Sequence, residues 1–368
     1  MIAQARQSAI LRRCSPLLCV LFLLSPALPA LGAQIGPGRD GVCQLALEGP
    51  IEAGDSAKLQ AALDGFPVEG DGNITLCLDS PGGDYDEGLN LITSVLTRTN
   101  VAMVIDRGAQ CYSACAFLFL AGNTQTSEDG ELGPDRTLDV GGTLGFHAPY
   151  LTDVTDTDAT SATVENFRAG VVAIAKLLEI DRRELFPRGL LAKALQVAPD
   201  DLLVVDTIEM AGVWSINLKG YGAPAALSPR MLDQACRNAD MWTNFSHTML
   251  GRSADNPEEL HGVRQTDFPE IRGANTPIDL VQCRHREILD LFGFEATNVC
   301  VADVFRDGYG RLVLSLHMVP ADQQGPDPGL LADQIDASAG DPQTLALLTT
   351  PLWYVFSPET PLSSLVAP

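Results

Sequence analysis

The sequence predicts an α/β fold with a parallel sheet, and three observations lead to this prediction. Short apolar runs of strand type alternate with amphipathic helical runs through the first half of the 368-residue chain. Glycines and prolines separate these runs and mark turns. Hydrophobic residues make up 46% of the composition, which is enough for a sizeable core. Alternating strands and helices are typical of a sheet whose parallel strands are joined through helices.

Each predicted element has its own local signal. The strands are short, apolar and bounded by turn residues: VCQLALEGPI at 42–51, NITLCLDS at 73–80, VAMVID at 101–106 and TLGFHA at 143–148. The helices between them have apolar residues at helical spacing: SAKLQAALDGF at 56–66, YDEGLNLITSVLTR at 85–98 and SACAFLFLAG at 113–122. Further along, we expect helices over 163–195, a strand at 201–206 and a helical turn at 208–218.

The last third of the chain predicts a separate accessory region. A segment with Gly and Pro at 219–229 marks a boundary between a first domain at 34–222 and a C-terminal domain at 223–368. Two apolar runs flank RDGYG at 306–310, which predicts a β-hairpin within a small α+β region. The acidic segment at 320–343 is rich in Pro and Gly and predicts a loop or linker.

The N-terminus has the pattern of a secretory leader. Three arginines precede the apolar run LLCVLFLL at 17–24, and the small-residue stretch PALGA at 29–33 follows it. That order is typical of a signal peptide, which we expect over 1–33 with cleavage near Ala33. Prolines leave the apolar core too short for a membrane span. The expected location is therefore an exported one, most simply a bacterial periplasm.

The acidic balance of the chain argues against one class of partner. The sequence has 47 Asp and Glu residues against 24 Lys and Arg residues, a formal net charge of −23. Nucleic-acid binding depends on basic residues that contact phosphates, so no nucleic-acid partner is expected. The sequence has neither a Walker-type phosphate loop nor an HExxH metal motif. We therefore expect no ATP, no metal and no other cofactor.

The cysteines are interpreted in the light of export, which permits disulfides. Seven of the nine follow the leader, so at least one stays outside an intramolecular pair. Cys43 and Cys77 can pair if their predicted strands are neighbours. For Cys111 and Cys115 we expect two small buried residues, because their spacing in a regular helix gives a disulfide an unfavourable angle. The connectivity stays open for Cys236, Cys283 and Cys300.

Three polar motifs each follow a predicted strand, where the sites of open α/β sheets gather. They are LDSPGGDYDEG at 78–88, the stretch around Ser113 and LGFHAPY at 144–150. Ser113 is a candidate nucleophile, and His147 is a candidate general base because imidazole titrates near neutral pH. The backbone N–H of Gly82 or Gly83, together with that of Ala114, is a candidate oxyanion-hole donor.

Each motif also has a purely structural interpretation. Ser-Pro-Gly-Gly alone is more often a tight turn, and a serine before an apolar helix is more often an N-cap. A lone histidine is more often packed in a core. The order of the three motifs, each placed after a strand, favours acyl-transfer chemistry over three coincidences.

The run from LEGPI through LCLDSPGGDYDEG, CYSACAFLFLAG and GFHAPY resembles the Clp-type serine proteases of the crotonase-like superfamily. The similarity covers about 45–220, roughly half of the chain. It implies a fold of stacked β-β-α superhelical units and a homo-oligomer. It also implies hydrolysis of peptide or protein substrates through an acyl-enzyme on Ser113, with His147 as base. Gly82 or Gly83, with Ala114, would form the oxyanion hole.

This sequence departs from the family pattern at the third member of the triad. Asp200 and Asp201 are the nearest candidates for the acid, and Asp206 is a weaker one. A Ser–Lys dyad that uses Lys176 or Lys193 is a second option, which the presence of a histidine disfavours.

A second departure is the acidic segment at 127–142, which lengthens the gap between the serine and the histidine. The ATPase partner typical of the family is not expected, because exported compartments generally lack ATP. Two other function classes stay open. A catalytically inactive scaffold or binding protein of the bacterial envelope would keep the glycine turn for folding alone. Acyl-CoA chemistry is disfavoured outside the cytoplasm.

Overall fold

The structure is a computed structural model, and the residues that it describes fall into twelve ranges: 32–39, 41–66, 73–126, 130–149, 159–181, 185–198, 200–245, 283–291, 294–306, 311–320, 327–338 and 348–367. The signal peptide expected at 1–33 lies outside these ranges except for its last two residues. The turn at 307–310 also lies outside them. The chain from Gly32 onward forms one compact unit.

The described residues form fourteen strands and eight α-helices. The strands are β1 Gln34–Pro37, β2 Leu45–Glu48, β3 Ile74–Asp79, β4 Val101–Ile105, β5 Gln110–Tyr112, β6 Asn123–Gln125, β7 Leu132–Pro134, β8 Arg136–Asp139, β9 Thr143–Phe146, β10 Leu203–Val204, β11 Asn217–Lys219, β12 Cys283–Leu291, β13 Phe294–Arg306 and β14 Leu312–Pro320. The helices are α1 Asp55–Leu63, α2 Tyr85–Leu96, α3 Ala114–Phe119, α4 Ala159–Ile180, α5 Arg188–Ala194, α6 Ile208–Val213, α7 Pro229–Phe245 and α8 Pro328–Ala337. None of the described helices has the length and apolar composition needed to cross a membrane.

The largest sheet is mixed, and its centre is parallel as the sequence predicts. Strands β2, β3, β4 and β8 run parallel to their neighbours, and β11 extends this order beside β8. Strands β1, β6 and β7 join it in antiparallel pairs. The connections from β1 to β2 and from β6 to β7 are too short for the crossover that a parallel pair requires. The fold is therefore mixed α/β.

A second, smaller sheet consists of β5, β9 and β10. Strands β5 and β9 are parallel, whereas β10 pairs with β9 in the antiparallel direction. The chain twice passes from a strand of the large sheet to one of the small sheet and then to a helix, as β4–β5–α3 and as β8–β9–α4. The sequence analysis missed β5, because its three residues directly precede the apolar run of α3.

Helix α3 is fully buried and is held by aromatic contacts on two sides. The ring of Phe117 makes edge contacts with Tyr85 of α2 and Phe146 of β9, at centroid distances of 6.2 and 5.6 Å. The Tyr85 hydroxyl donates a hydrogen bond to Ala173 O of α4 at 2.8 Å. Burial, with the nearby charge of Asp86, raises the pKa of Tyr85 above its ordinary value, so this donor keeps its proton.

Two sequence expectations are wrong at the level of secondary structure. Residues 208–218 are not one helical turn, because α6 ends at Val213 and Ser215 turns the chain at φ 53° into β11. The segment at 320–343 is not only a loop, since α8 lies within it. Leu331 and Ile335, one helical turn apart, bury their side chains against Phe305 and stabilise this helix despite the acidic composition around it.

The C-terminal region contains the predicted hairpin and one strand more. Strands β13 and β14 are antiparallel, and β12 pairs with the other edge of β13. The disulfide Cys236–Cys300 joins α7 to this sheet. The chain then returns to the first half of the molecule, where Ile208 N donates to Thr360 O and Ala367 N donates to Gly220 O, both at 3.1 Å.

The fully buried guanidinium of Arg136 connects four segments of the first half. It donates to Leu120 O at 3.0 Å, to Leu185 O at 3.2 Å, and to two carbonyls just beyond α6, those of Trp214 and Ser215, at 2.7 and 3.1 Å. Burial lowers the pKa of Arg136 to about 9, and the charge of Asp181 opposes that shift. The side chain is therefore a cation at neutral pH, and its hydrogen bonds satisfy carbonyls at the C-terminal ends of α3 and α6.

Replacement of Arg136 by Met is expected to lower the free energy of unfolding by about 3 kcal/mol or more, because several buried carbonyls lose their donor. Urea unfolding of the purified protein measures this loss. Arg39→Met is the matched control, since Arg39 is exposed. A loss no larger than that of the control would contradict the role of Arg136.

Candidate active site

The three polar motifs follow the ends of three strands, and these strand ends lie side by side. Ser80, directly after β3, forms a parallel bridge with Cys111 of β5, and Cys111 in turn pairs with Leu144 of β9. The glycine turn, Ser113 and His147 therefore follow neighbouring strands that run in the same direction. The carboxyl ends of parallel strands are where sites in α/β sheets form.

The glycine turn is fixed by backbone hydrogen bonds to the segment after β2. Ile51 N donates to Gly82 O at 2.8 Å, and Asp84 N donates to Ile51 O at 2.9 Å. Gly82 N donates to the hydroxyl of Ser80 at 3.1 Å. Both glycines have positive φ, 91° at Gly82 and 149° at Gly83, which disfavours any residue with a Cβ atom.

Ser113 has a backbone conformation that an ordinary helix cap does not have. It lies at φ 56° and ψ −124°, and its side chain makes no capping hydrogen bond to α3. A capping serine normally has an extended backbone and accepts from the first turn. Sparsely populated backbone angles of this kind cost about 1–3 kcal/mol and cluster at functional sites. The same strained strand-to-helix turn exposes the nucleophile in α/β-hydrolases.

The serine lies directly against the glycine turn. A Cβ atom placed on Gly82 would lie 2.7 Å from Ser113 Cβ and 2.6 Å from Tyr112 O. Gly82 N is occupied by Ser80, but among the described residues neither Gly83 N nor Ala114 N has a hydrogen-bond partner. Two backbone donors are therefore available, one on the residue after the serine and one on the residue after Gly82, and an oxyanion hole requires such donors.

His147 is buried, with 8% of its surface exposed, and its ring is oriented by a backbone carbonyl. Its Nδ1 atom lies 2.8 Å from Ala148 O. Because a carbonyl only accepts hydrogen bonds, Nδ1 carries the proton and Nε2 is the basic nitrogen. The backbone also holds the two motifs together, since Ser113 N donates to Gly145 O at 3.1 Å. The Ser113 hydroxyl itself makes no side-chain hydrogen bond to a described residue.

The candidate acids lie close to the histidine motif in the fold, but they do not contact the imidazole ring. Strand β10 pairs with β9 through Leu203 and Phe146, which brings the preceding Asp200 and Asp201 beside the end of β9. Both acids are exposed, and the Nδ1 position that an acid would occupy contacts Ala148 O instead. Asp206 is exposed as well.

The two lysines considered for a Ser–Lys dyad have other positions. Lys176 forms an ion pair with Asp86 at 2.7 Å. Lys193 is exposed in the last turn of α5. No described contact connects either ammonium with the hydroxyl of Ser113.

A disulfide joins Cys111 and Cys115 across the serine, which corrects the expectation of two unpaired residues. The pair does not lie in a regular helix, because Cys111 belongs to β5 and the chain turns sharply at Ser113 before α3 begins. That turn leaves the two Cα atoms 5.2 Å apart, within the usual range for a disulfide. Cys43 and Cys77, which the sequence allows to pair if their strands are neighbours, form a disulfide, and β2 and β3 are indeed neighbours.

The sequence analysis missed three residues that shape the site: Ile51, Ser80 and Ala148. Ile51 and Ala148 act through backbone atoms, which leave no signature in the side-chain sequence. Ser80 was visible as the first residue of the Ser-Pro-Gly-Gly turn, but its side chain could not be distinguished from an ordinary turn residue. Its hydroxyl accepts from Gly82 N and so removes one of the two glycines from the set of available donors.

Comparison of the sequence with models of known protein families and with curated proteins finds no match. The functional argument therefore depends on the residues of this chain and on their geometry.

Gly82→Ala is expected to destabilise the protein more than Gly49→Ala. Both positions have similar φ, 91° and 94°, so both substitutions carry a similar backbone cost. A Cβ atom at Gly49 meets nothing within 4 Å, whereas at Gly82 it meets Ser113 and Tyr112. The clash should cost about 1–3 kcal/mol beyond the shared strain. Urea unfolding of the two variants measures the difference, and equal losses would contradict the close approach.

Removal of each disulfide separates their contributions to stability. Cys111 and Cys115 are 4 residues apart, whereas Cys43 and Cys77 are 34 apart. Loop-closure entropy therefore predicts a loss of about 2 kcal/mol for the double alanine variant at 111 and 115, against about 4 kcal/mol at 43 and 77. Unfolding under non-reducing conditions measures both. The reverse ranking would show that the short disulfide mainly relieves strain at the serine turn.

Proposed function

We propose that this chain is an exported serine peptidase of the Clp type, which hydrolyses peptide bonds through an acyl-enzyme on Ser113. The observation that carries the proposal is the conformation of Ser113. A non-glycine residue keeps positive φ between a strand and a buried helix, without capping that helix. The strain of this turn is not accompanied by a local hydrogen bond. A role for the serine side chain explains why the turn is kept.

The proposed reaction begins when the Ser113 hydroxyl attacks the substrate carbonyl carbon and passes its proton to Nε2 of His147. The carbonyl oxygen becomes an oxyanion, which the N–H groups of Gly83 and Ala114 stabilise. The C–N bond then breaks, and the imidazolium protonates the departing amine. Water attacks the acyl-enzyme by the same route and regenerates the serine.

In the proposed site, the backbone carbonyl of Ala148 orients the histidine ring. The contact from Nδ1 of His147 to Ala148 O selects the tautomer in which Nε2 accepts the serine proton.

The architecture and the cysteines support the finer parts of the proposal. The repeated passage through large sheet, small sheet and helix fits stacked β-β-α units of the crotonase-like kind. Three disulfides among the described residues suit an oxidising compartment, as export to a periplasm would provide. Superfamily members associate into rings or trimers, so a homo-oligomer is part of the same proposal.

A fluorophosphonate probe tests the proposal directly, with intact mass as the readout. Wild type should gain one adduct, which Ser113→Ala abolishes. His147→Ala should slow labelling by about 100-fold or more, since the general base is lost. Asp200→Asn and Asp201→Asn should label within about threefold of wild type, because neither acid contacts the ring.

Ser364→Ala is the matched control for Ser113→Ala, since Ser364 is an exposed serine remote in sequence whose hydroxyl donates to Pro361 O. Absence of an adduct on correctly folded wild type would overturn the peptidase proposal in favour of an envelope scaffold or binding protein. A large loss of labelling in Asp201→Asn would instead restore the acid to the triad.

A further inference from the structure

The two residues at the predicted leader boundary, Gly32 and Ala33, lie beside the buried carboxylate of Asp55. Asp55 is the first residue of α1 and is fully buried. Ala33, itself 1% exposed, donates its backbone N–H to Asp55 Oδ2 at 2.9 Å. A buried carboxylate is costly unless cations or hydrogen bonds compensate it. The first described residues of the chain therefore lie against an anion.

Two further donors reach this carboxylate, and one of them is a cation. Glu52 N donates to Asp55 Oδ2 at 2.8 Å, and the Lys58 ammonium donates to Oδ1 at 2.7 Å. The Lys58 side chain is 52% exposed, so much of its charge is screened by solvent. The backbone nitrogen of Ala33 is thus the most buried of the three donors to this carboxylate.

Gly32 suits both the packing around Asp55 and the residue preference of a leader peptidase. A Cβ atom on Gly32 would lie 2.8 Å from Asp55 Oδ1, so a residue with a side chain would crowd the carboxylate. Leader peptidases require small residues at the first and third positions before the cut. Cleavage after Gly32 places Ala30 and Gly32 at those positions, whereas cleavage after Ala33 places the bulky Leu31 at the third.

We propose that a leader peptidase of the export machinery cleaves the bond between Gly32 and Ala33, and that the new Ala33 α-ammonium forms a buried ion pair with Asp55. The reaction consumes one water: the C–N bond breaks, hydroxide goes to the Gly32 carbonyl carbon and the proton to the Ala33 nitrogen. Ala33 is buried in the folded chain, so cleavage precedes folding. The inference rests on the export part of the proposed function and on no catalytic residue.

Mapping of the mature N-terminus tests the site. The full-length chain is expressed with its leader in a bacterium, and the exported protein is analysed by intact mass. The expected first residue is Ala33. A chain that begins at Gln34 or at any other residue overturns this inference alone, and a chain that keeps its leader overturns the export proposal as well. Fluorophosphonate labelling of Ser113 is read separately and is unaffected by either result.

Stability measurements test the ion pair on two folded chains that both begin at Ala33. One has a free N-terminus, and the other is acetylated there, which turns the Ala33 ammonium into a neutral amide. The chain with the free N-terminus should melt about 4 °C higher. The gap should widen in Lys58→Met, which removes the competing cation from an exposed position. It should close in Asp55→Asn, which removes the anion.

Equal melting temperatures of the two chains, both with Lys58 and in Lys58→Met, would overturn the ion pair even if Asp55→Asn does not fold. Lys193→Met is the matched control for Lys58→Met, because it removes an exposed helical lysine far from Asp55 in the sequence. This control should leave the gap between the two chains unchanged.

Discussion

The position of the candidate nucleophile depends on the burial of one guanidinium, that of Arg136. Helix α3 is only six residues long, and its last carbonyls lie in the core, where water cannot satisfy them. Arg136 satisfies Leu120 O just beyond α3 and, through the same planar group, Trp214 O just beyond α6. Two helix ends that are distant in sequence are thereby fixed to β8. A helix this short has little intrinsic stability, so its location comes from such contacts and not from propensity.

The backbone strain lies at the opposite, N-terminal end of α3. Ser113 holds its unfavourable backbone angles because its neighbours leave no alternative. Its N–H is bonded to Gly145 O, the Cys111–Cys115 disulfide spans it, and Gly82 packs against its Cβ atom. The cost of about 1–3 kcal/mol is offset by the burial of the entire helix that follows. The glycine turn is required here for a steric reason, in addition to any donor that it supplies.

The sequence predicted those elements of the first half that had a periodic signal and a turn on either side, but it missed the short strands β1, β5, β6, β7, β8 and β11. Helix α2 and strand β4 begin at the predicted residues. The structure departed from prediction where tertiary contacts decide the outcome. The disulfide at Cys111 was rejected for a regular helix, yet the chain turns between its partners. The orienting group for His147 was sought among acids, but a backbone carbonyl occupies that place, and carbonyls have no sequence signature.

The N-terminal boundary and the glycine turn are connected through successive helix ends. Asp55, which meets Ala33, opens α1, and the backbone N–H groups of Gly54 and Ser56 donate to Glu87 of α2 at 3.1 and 2.6 Å. Helix α2 is itself capped by Asp84, whose side chain accepts from Glu87 N. Asp84 directly follows Gly83. The N-terminal boundary and the turn that packs on Ser113 are thus linked by hydrogen bonds at two successive helix N-termini, where carboxylates satisfy backbone N–H groups and complement the helix dipole.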